Sequence, residues 1–405
     1  MKKVAVIFES SPFDRKGLFN SAHNRTLHLV ETGEVQLDAY CMHIRDSFIT
    51  RKLRHTPKVP VRKTVTIDGV SYNMMWRRFF WTDRVRKIFG CAPKRLYAYI
   101  SKQVEKFSGY DAIIAHSYEG GLLAYEVNRR HGIPYMVTWH GSDVHTHPLR
   151  DVERLKMTAR IMDRAQVNFF VSTALMAASE KITENARKEV LYNGVNTLFS
   201  ALSEDDRTAV RRRYGVGPED RVIAYVGNFY PVKNVDVLPE IFAAVQDDFE
   251  LHLRDNPQLS MNLKFWVIGD GRLRKEVEHR IKLQSSTNVN FYGNVPVEEM
   301  PRMMNCIDLL VLPSRNEGLP LVTMEALRCG ASVIGSDVGG IPEVIGKEFC
   351  VPFNVKLDGS LEYGDKDFVN RFSQKVVRQL FFPKDQLLDE CFDWKKTARK
   401  ELGFL

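Results

Sequence analysis

The feature of this sequence that most constrains its fold is the alternation of short apolar runs with amphipathic segments. The runs are nearly continuous in Val, Ile, Leu and Phe, which is typical of parallel strands covered by helices on both faces. Amphipathic segments such as 121–130, 235–245 and 273–283 lie between them. This alternation predicts doubly wound α/β sheets. The runs predicted as strands are residues 3–9, 111–117, 133–140, 167–172, 190–194, 221–227, 263–269, 289–293, 308–314 and 331–336.

The length of the chain sets the number of domains. The chain has 405 residues, and at about 150 residues per domain this predicts two or three domains. Segment 194–220 reads as a linker, a short charged helix and a turn, after which RVIAYVG starts a second sheet. We therefore predict one doubly wound domain over residues 1–197 and a second over 198–384. Two such domains leave a cleft between them, and ligands of open parallel sheets bind at the carboxyl ends of the strands.

The composition excludes several classes of protein. The mean hydropathy of −0.27 and the 44% hydrophobic content are those of a globular chain rather than a disordered one. No stretch approaches the roughly 18 consecutive apolar residues of a transmembrane helix, and the first apolar run meets Glu9 too early for a signal peptide. The six cysteines are scattered without a CxxC pair, which predicts reduced thiols and no cysteine zinc site. These features predict a cytoplasmic protein.

Basic charge is concentrated in the first 110 residues, which hold 21 Lys and Arg against 9 Asp and Glu. Aromatic residues interleave with arginines in the segment SYNMMWRRFFWTDRVRKIF, a pattern that suits an anionic membrane surface. A solvated basic face whose aromatic rings pack inward explains the pattern equally well. Nucleic acid is a third option, but no nucleic-acid-binding motif supports it. The candidates for membrane or acceptor contact are Arg77, Arg78, Trp81, Arg84 and Arg86.

The strongest chemical signal lies in SRNEGLPLVTMEALRCGASVIGSDVGGIPEVIG, residues 314–346. A strand ends there, a tight turn carries Glu317, and a helix starts near Pro320. The free N–H groups and the positive dipole end of such a helix form an anion site. Glu317 and Glu325 are placed so that both carboxylates can face one ligand and accept sugar hydroxyls. The alternative, a surface glutamate and a helix-capping one, fits the spacing alone about as well.

The motifs taken together resemble those of retaining glycosyltransferase family 4, which has the GT-B fold of two Rossmann-like domains facing across a cleft. Segment 314–346 resembles the E-x7-E signature of that family. LKFWVIGDGRLR, NVNFYGNVPVEEM and YVGNFYPVKNVDVL resemble its strand and loop motifs, and TWHGSDV and LYNGVN match its N-terminal half. FDWKKTARKELGFL resembles the terminal helix that crosses back onto the first domain, here at about 385–405. The resemblance is dense from about residue 110 and weak from 10 to 100.

The resemblance implies roles for residues of the C-terminal half. Glu317 matches the glutamate that contacts the donor sugar beside the anomeric carbon, and Glu325 matches the one that holds the ribose hydroxyls. Lys233 matches the lysine that neutralises the leaving diphosphate. The backbone N–H groups of Gly318, Leu319, Leu321 and Val322 match those that meet the diphosphate, whereas Pro320 has no N–H to donate.

Further positions match the family less closely. His140 matches the histidine that faces the donor sugar from the first domain. Asn228 stands in place of a frequent arginine, so one phosphate cation is missing, and Asn294 is a further donor-binding candidate in its motif. Gly17 is all that this chain offers of the family's Gly-Gly loop. His23, Asn24 and Arg25 are weak acceptor-site candidates.

The resemblance implies transfer of a sugar from a nucleotide diphosphate sugar to a glycan or lipid-linked acceptor, with retention of configuration. No cofactor and no metal are expected, because Asp365-Lys366-Asp367 comes too late to be a donor-site aspartate pair, and no dinucleotide fingerprint is present. A membrane surface is a partner that the charge allows, and nucleic acid is not expected. Two rivals remain: a nucleotide-sugar epimerase of the same fold, and a catalytically silent assembly partner.

Overall fold

The computed structural model describes residues 1–13, 17–45, 59–78, 94–284, 288–356, 360–363 and 365–405, with the side chains of Arg78 and Lys94 left out. The chain divides into two compact units. Unit 1 comprises Met1–Gly194 and Asp393–Leu405, and unit 2 comprises Val195–Phe392. The sequence analysis had put these boundaries at 197/198 and at about 385.

Unit 1 is an α/β domain whose strands and helices alternate along most of its length. Its strands are β1 (Lys2–Glu9), β2 (Val35–Arg45), β3 (Thr64–Ile67), β4 (Val70–Arg78), β5 (Ala112–His116), β6 (Tyr135–Trp139), β7 (Val167–Phe170) and β8 (Lys188–Val190). Its helices are α1 (Gly17–Thr32), α2 (Lys94–Gln103), α3 (Ser117–His131), α4 (Ser142–His145), α5 (Val152–Arg164) and α6 (Thr173–Ala178), and the terminal helix Trp394–Leu402.

The strands of unit 1 form one eight-stranded sheet in the order β3-β4-β2-β1-β5-β6-β7-β8. All neighbours are parallel except β3 and β4, which form an antiparallel pair. Strands β1, β5 and β6 are buried over most of their length, as expected for strands covered on both faces. The chain leaves β1 toward β2 on one side and later returns beside it as β5, so the strand order reverses between β1 and β5.

Unit 2 is a second α/β domain. Its strands are β9 (Asp220–Val226), β10 (Asn262–Ile268), β11 (Val289–Gly293), β12 (Leu309–Leu312), β13 (Ser332–Ser336), β14 (Cys350–Val351), β15 (Asn354–Val355) and β16 (Leu361–Glu362). Its helices are α7 (Glu204–Arg213), α8 (Leu238–Asp255), α9 (Arg274–Leu283), α10 (Met300–Cys306), α11 (Leu321–Arg328), α12 (Ile341–Ile345) and α13 (Lys366–Phe381), so that the terminal helix of unit 1 is α14.

The main sheet of unit 2 has six parallel strands in the order β11-β10-β9-β12-β13-β14, and β15 pairs with β16 in a short antiparallel hairpin. Here the order reverses between β9 and β12. The predicted class of two doubly wound parallel-sheet domains is therefore confirmed, and the strand-like runs coincide with strands. One run is displaced, because β8 ends at Val190, where the predicted strand 190–194 begins.

The strands β2, β3 and β4 were not predicted. They lie in the basic region that the resemblance covers only weakly, and β4 contains the segment SYNMMWRR, for which a membrane surface and a basic face with inward-packed rings were both open. The ring of Trp76 stacks against Phe13 at a centroid distance of 6.4 Å, and its Nε1 donates to the Arg62 carbonyl, as in the second interpretation. No helix in the described part of the chain is long and apolar enough to cross a bilayer.

Candidate active site

The loops that follow β9 and β12 lie side by side, because these two strands are neighbours in the sheet of unit 2. The first loop carries Lys233 and the second carries Glu317. This is the carboxyl edge of a parallel sheet at the point where the strand order reverses, which is where such sheets bind ligands. The two residues are 84 positions apart in the chain, so this topology alone brings them together.

Lys233 and Glu317 form a close ion pair. The Nζ of Lys233 donates to Oε1 of Glu317 at 2.7 Å and to Oε2 at 2.8 Å. The hydroxyl of Ser314 donates to Oε1 at 2.7 Å as well. The Glu317 side chain is 8% exposed and that of Lys233 is 25% exposed. The predicted leaving-group cation and the predicted catalytic carboxylate therefore contact each other.

Backbone contacts hold the surrounding loops together. The amide of Arg315 donates to the Val232 carbonyl at 2.9 Å, and the amide of Gly340 donates to the Gly318 carbonyl at 3.1 Å. Gly339 has φ of +54°, and a Cβ there would lie 1.9 Å from the Glu317 carbonyl oxygen. Only glycine allows this approach, so the turn after β13 fixes the backbone of Glu317 from behind.

Asn234 of the first loop and Arg315 of the second loop join the two loops through a side-chain hydrogen bond. Asn234 has φ of +52°, a conformation that asparagine adopts more readily than most residues, which explains why it replaces the family's glycine. Its Oδ1 accepts from Nε of Arg315 at 2.7 Å, and Arg315 also pairs with Asp236 at 2.5 Å. The sequence analysis missed Arg315. Its position in the loop between β12 and the first signature glutamate was a signal that could have suggested it.

The start of α11 provides backbone donors. Leu321 and Val322 are the first residues of this helix, so their N–H groups have no intrahelical acceptor. The N-cap residue, Pro320, provides no side-chain capping hydrogen bond. Gly318 and Leu319 precede the helix and are buried. Free N–H groups and the helix dipole attract a negatively charged group at this end.

Glu325 lies one turn into α11, and its carboxylate forms no hydrogen bond or ion pair with any described side chain. Burial raises its pKa to about 7. A half-buried carboxylate without a partner is an available acceptor for hydroxyl groups of a ligand. Glu317 and Glu325 thus differ, since one carboxylate is neutralised by a lysine and the other has no cation beside it.

Asn228 and Asn294 lie on the same edge of the sheet. Asn228 follows β9, and its carbonyl accepts from the Tyr225 hydroxyl at 3.0 Å. Asn294 is exposed and follows Gly293, whose carbonyl accepts from the Gly269 amide at 2.7 Å. Arg274, near the same edge of the sheet, donates to the Gly269 carbonyl at 3.0 Å.

In unit 1, His140 follows β6 and contacts a second histidine. Its Nε2 lies 3.1 Å from Nδ1 of His116, the last residue of β5, and the two rings stack with centroids 5.4 Å apart. Burial and the positive charge of Arg25 lower the pKa of His140 to about 3, and burial lowers the pKa of His116 as well. The sequence analysis missed His116, although it ends a predicted strand just as His140 does.

Buried groups support this histidine pair. Arg25 is fully buried, donates to the Leu191 carbonyl at 2.7 Å and to the Thr138 hydroxyl at 3.2 Å, and lies 3.9 Å from Glu401 of α14. Arg25 is therefore a core residue rather than an acceptor contact. His23 and Asn24 are buried too, and His23 contacts the Tyr72 hydroxyl at 2.7 Å. All three residues are buried, and their weak acceptor assignment stays a prediction.

The remaining predicted residues of unit 1 are Gly17 and the candidates for membrane or acceptor contact. Gly17 begins α1 and is exposed, and a Cβ there would meet no atom within 4 Å. Arg77 does not face solvent as a membrane-binding cation would, since its side chain is 14% exposed and pairs with Glu9 at 3.4 Å. Arg78 ends β4. Trp81, Arg84 and Arg86 lie outside the described residues.

The Asp365-Lys366-Asp367 segment has a structural explanation. The Asp365 carboxylate caps α13 by accepting from the Phe368 amide at 2.7 Å. Asp367 pairs with Arg371 one turn later. Among the residues that the structure describes, no group of three or more His, Cys, Asp or Glu side chains is placed to hold a metal ion.

Comparisons with known proteins identify the family of the chain. Residues 206–356 match the model of glycosyl transferases group 1, and residues 54–199 match the model of glycosyltransferase family 4. The chain is 25% identical over 358 residues to the putative teichuronic acid biosynthesis glycosyltransferase TuaC of Bacillus subtilis, covering 85% of this chain and 82% of TuaC. It is 29% identical over 251 residues to a D-inositol 3-phosphate glycosyltransferase of Salinispora arenicola, which covers 57% of this chain and 54% of that enzyme.

Solved structures show the same fold. The Anabaena protein Alr3699/HepE, crystallised with UDP and glucose, superposes with a TM-score of 0.64 at 16% identity, covering 98% of both chains. WaaG, a glycosyltransferase involved in lipopolysaccharide biosynthesis, superposes with a TM-score of 0.61 at 16% identity, covering 99% of this chain and 95% of WaaG. The fold and the two matching models define a glycosyltransferase. The chain belongs to the GT4-type glycosyltransferases with the GT-B fold.

Proposed function

We propose that this enzyme transfers a sugar from a nucleotide diphosphate sugar to a hydroxyl of a lipid-linked or cell-surface glycan intermediate, with retention of configuration and without a metal ion. The Lys233–Glu317 pair at the start of α11 carries this proposal. A cation, free backbone N–H groups and an unpartnered Glu325 lie on one edge of one sheet. The Anabaena structure with UDP-glucose supports a nucleotide sugar as the donor, and the name of TuaC supports a polysaccharide product.

The mechanism follows from the charges that develop as the bond between sugar and phosphate breaks. Negative charge grows on the leaving diphosphate, where Lys233 and the N–H groups of Leu321 and Val322 would stabilise it. Preorganised donors of this kind contribute about 3–4 kcal/mol each to transition-state stabilisation in other enzymes. With retention, the acceptor hydroxyl attacks on the face from which the phosphate leaves, so the phosphate can take the hydroxyl proton and no separate base is needed.

Donor binding requires the Lys233–Glu317 pair to rearrange. Both carboxylate oxygens of Glu317 accept hydrogen bonds from the ammonium group that the diphosphate would contact. A donor whose diphosphate reaches Lys233 would leave Glu317 with Ser314 and with the hydroxyls of the sugar ring as partners. Binding of the donor would thus turn the Glu317 carboxylate toward sugar recognition, which fits its expected position beside the anomeric carbon.

The direct test is turnover of a panel of UDP and GDP sugars with and without a lipid-linked glycan acceptor. Transfer to the acceptor, with slow donor hydrolysis in its absence, supports the proposal. Release of an epimerised free sugar at a rate that does not depend on the acceptor would indicate an epimerase. A chain that neither binds nor turns over any donor would be a silent assembly partner. A thermal-shift screen of the same nucleotide sugars identifies the donor, since a bound ligand raises apparent stability by mass action.

We also propose peripheral association with an anionic membrane surface. Its support is the excess of basic residues in the first 110 positions, including Arg84 and Arg86. Arg77 is not counted among the membrane-binding residues because it pairs with Glu9. Sedimentation with anionic and neutral liposomes tests the proposal, with Arg84→Ser/Arg86→Ser as the variant and Arg129→Ser, an exposed arginine of α3, as the control. Equal binding to both kinds of liposome would contradict it.

A further inference from the structure

A cluster of charged side chains lies in unit 1 where the strand order reverses between β1 and β5. Glu9 ends β1, and α3 begins directly after β5 and carries Glu119 in its first turn. Ser117, at the junction, has φ of +61°, an uncommon value for a residue with a side chain. Open parallel sheets bind ligands at such reversal points. Apart from Gly17 and His140, the donor-site candidates described above belong to unit 2, and no ligand has been assigned to the charged side chains of this cluster.

Two arginines approach the two glutamates only loosely. Arg77 of β4 lies 3.4 Å from Glu9, and Arg154 of α5 lies 3.5 Å from Glu119. Each contact joins one nitrogen to one oxygen, whereas a guanidinium group can donate five hydrogen bonds and binds a carboxylate best through two. Arg154 also lies over the Tyr118 ring, 4.1 Å from its centroid, which fixes the plane of its guanidinium group.

Three buried polar atoms near this cluster lack a hydrogen-bond partner among the described residues. The Nε atoms of Arg77 and Arg154 have no hydrogen-bond acceptor among the described residues, and neither does the hydroxyl of Tyr99 on α2. A buried donor left without an acceptor destabilises the folded protein. A ligand that brings acceptor oxygens would remove part of this cost, because the guanidinium groups could turn toward it.

The protonation state of Glu9 determines the net charge of the cluster. Burial and the nearby charge of Glu119 raise the pKa of Glu9 to about 7, against the opposing effects of Arg77 and Arg154. Protonation of Glu9 leaves two arginines facing one carboxylate, with a net positive charge. The groups that surround Glu9 are Arg77 of β4, Tyr99 of α2, Glu119 of α3, Arg154 of α5 and the buried thiol of Cys41 on β2.

We infer that this cluster binds an anionic group of the acceptor, a carboxylate or a phosphate, through Arg77 and Arg154, and that Glu9 takes up one proton from solvent as the anion binds. This inference rests on the proposed function, since it names the chemical class of the acceptor. The 21 basic side chains in the first 110 residues favour the same class, because excess positive charge raises the rate at which an anion reaches the site.

The experiment is a ligand-observed NMR titration of the full chain with three probes. Methyl β-D-glucuronide carries the carboxylate, glucose 6-phosphate carries the phosphate, and methyl β-D-glucoside is the neutral control. The glucuronide keeps its charge throughout, whereas the protonated fraction of Glu9 falls about thirtyfold between about pH 6 and about pH 8.5 for a pKa of about 7. We expect the glucuronide affinity to fall by a similar factor, and the tighter of the two anionic probes identifies the acceptor group.

Three variants make the test specific. Arg77→Gln is expected to weaken the anionic probes at least tenfold. Glu9→Gln, which resembles protonated Glu9, should bind the glucuronide equally well at both pH values. Arg129→Gln, which removes an exposed arginine of α3, is the matched control and should change nothing. Circular dichroism melting of each variant confirms that it is folded.

The inference is overturned by any of four results: neither anionic probe binds, the neutral glucoside binds as tightly, Arg77→Gln has no effect, or the pH dependence persists in Glu9→Gln. These measurements need no turnover. A failure here with intact donor turnover would therefore reject the anionic acceptor alone, whereas loss of nucleotide-sugar binding would reject the proposed function.

Discussion

Lys233 and Glu317 form an ion pair between two loops, with both carboxylate oxygens within 2.8 Å of the ammonium group. The two residues are 84 positions apart in the sequence. Under the proposed function, this pair places a cation where the diphosphate would bind. The donor diphosphate would then have to compete with the Glu317 carboxylate for Lys233.

Lys233→Ala is expected to slow sugar transfer about a hundredfold, as is typical of losing one preorganised charge on a leaving group. The structure adds a second effect. Without Lys233, the Glu317 carboxylate keeps only Ser314 as a partner and is 8% exposed, so the free energy of unfolding should fall by about 1–3 kcal/mol. Steady-state kinetics and urea unfolding measure the two effects. Lys275→Ala, an exposed lysine on α9, is the control, and normal turnover in Lys233→Ala would remove this residue from the mechanism.

Glu317→Gln should separate binding from catalysis. The variant releases Lys233 from its ion pair, so the affinity for a nucleoside diphosphate such as UDP should rise severalfold. The transfer rate should nevertheless fall about a hundredfold, because the contact to the reacting sugar is lost. Calorimetric titration with UDP and kinetic measurements on the same preparation test this. Weaker UDP binding in Glu317→Gln would mean that Glu317 contributes to phosphate binding rather than competing for Lys233.

Glu325 gives a pH-dependent prediction. Burial raises the pKa of its carboxyl group to about 7, from a usual value of 4.5, so the protonated form is favoured by folding and the ionised form is penalised. The penalty is absent below about pH 4.5 and complete above about pH 7, where it reaches about 3 kcal/mol at 1.36 kcal/mol per pKa unit. Glu325→Gln should therefore be more stable than the wild type at about pH 8 and no more stable at about pH 4.5. Urea unfolding at both pH values tests this.

The same variant should bind the donor more weakly. If Glu325 holds the ribose hydroxyls, the contact exists equally in the ground state and the transition state, so KM for the donor should rise about tenfold with little change in kcat. A carboxylate that destabilises the fold and yet improves substrate binding is typical of a functional site. A fall in kcat at constant KM would contradict this role.

A contact of this site could be predicted from the sequence only when the two contacting residues lie close together in the chain. Glu317, Glu325 and the start of α11 lie in one continuous segment, so their arrangement could be read locally. The contact of Lys233 with Glu317 joins two strands that are neighbours only through the reversal of strand order. The family resemblance indicated both residues, but nothing in the sequence indicated that they would neutralise each other.

The N-terminal half shows the opposite case. The segment that forms β4 has few continuous apolar residues, so its arginines and aromatic residues were interpreted as a surface. Arg77 reaches Glu9, 68 residues away, and this pairing follows from β4, β2 and β1 lying side by side, which no local pattern encodes. The burial of Arg25 has a similar cause, since its carboxylate neighbour, Glu401, comes from the last helix of the chain.

Chelation tests the proposed independence from metal ions. Transfer is expected to continue in excess EDTA, because Lys233 and the N–H groups of α11 are proposed to stabilise the diphosphate. The Asp365 and Asp367 carboxylates are engaged in capping α13 and in pairing with Arg371. Initial rates with and without EDTA, followed by added Mn²⁺ or Mg²⁺, measure the effect. Loss of transfer on chelation, restored by either cation, would show that a metal supplies part of the charge.

His140 gives the last prediction, which concerns stability below neutral pH. Burial and Arg25 lower the pKa of His140 to about 3 from a usual value of 6.5, so folding disfavours its protonated form. Its contribution to stability is therefore complete above about pH 6.5 and is lost as the pH falls toward 3. Between about pH 7 and about pH 5 the wild type should lose about 2 kcal/mol of unfolding free energy through this residue.

His140→Asn should remove that loss, so the stability difference between the two pH values should be smaller by about 2 kcal/mol than in the wild type. His279→Asn, an exposed histidine of α9, is the matched control and should show the wild-type difference. Urea unfolding of the three proteins at both pH values provides the measurement. The variant should also transfer sugar more slowly if His140 contacts the donor, whereas an unchanged pH dependence of stability would mean that His140 becomes protonated in the folded protein at a nearly normal pKa.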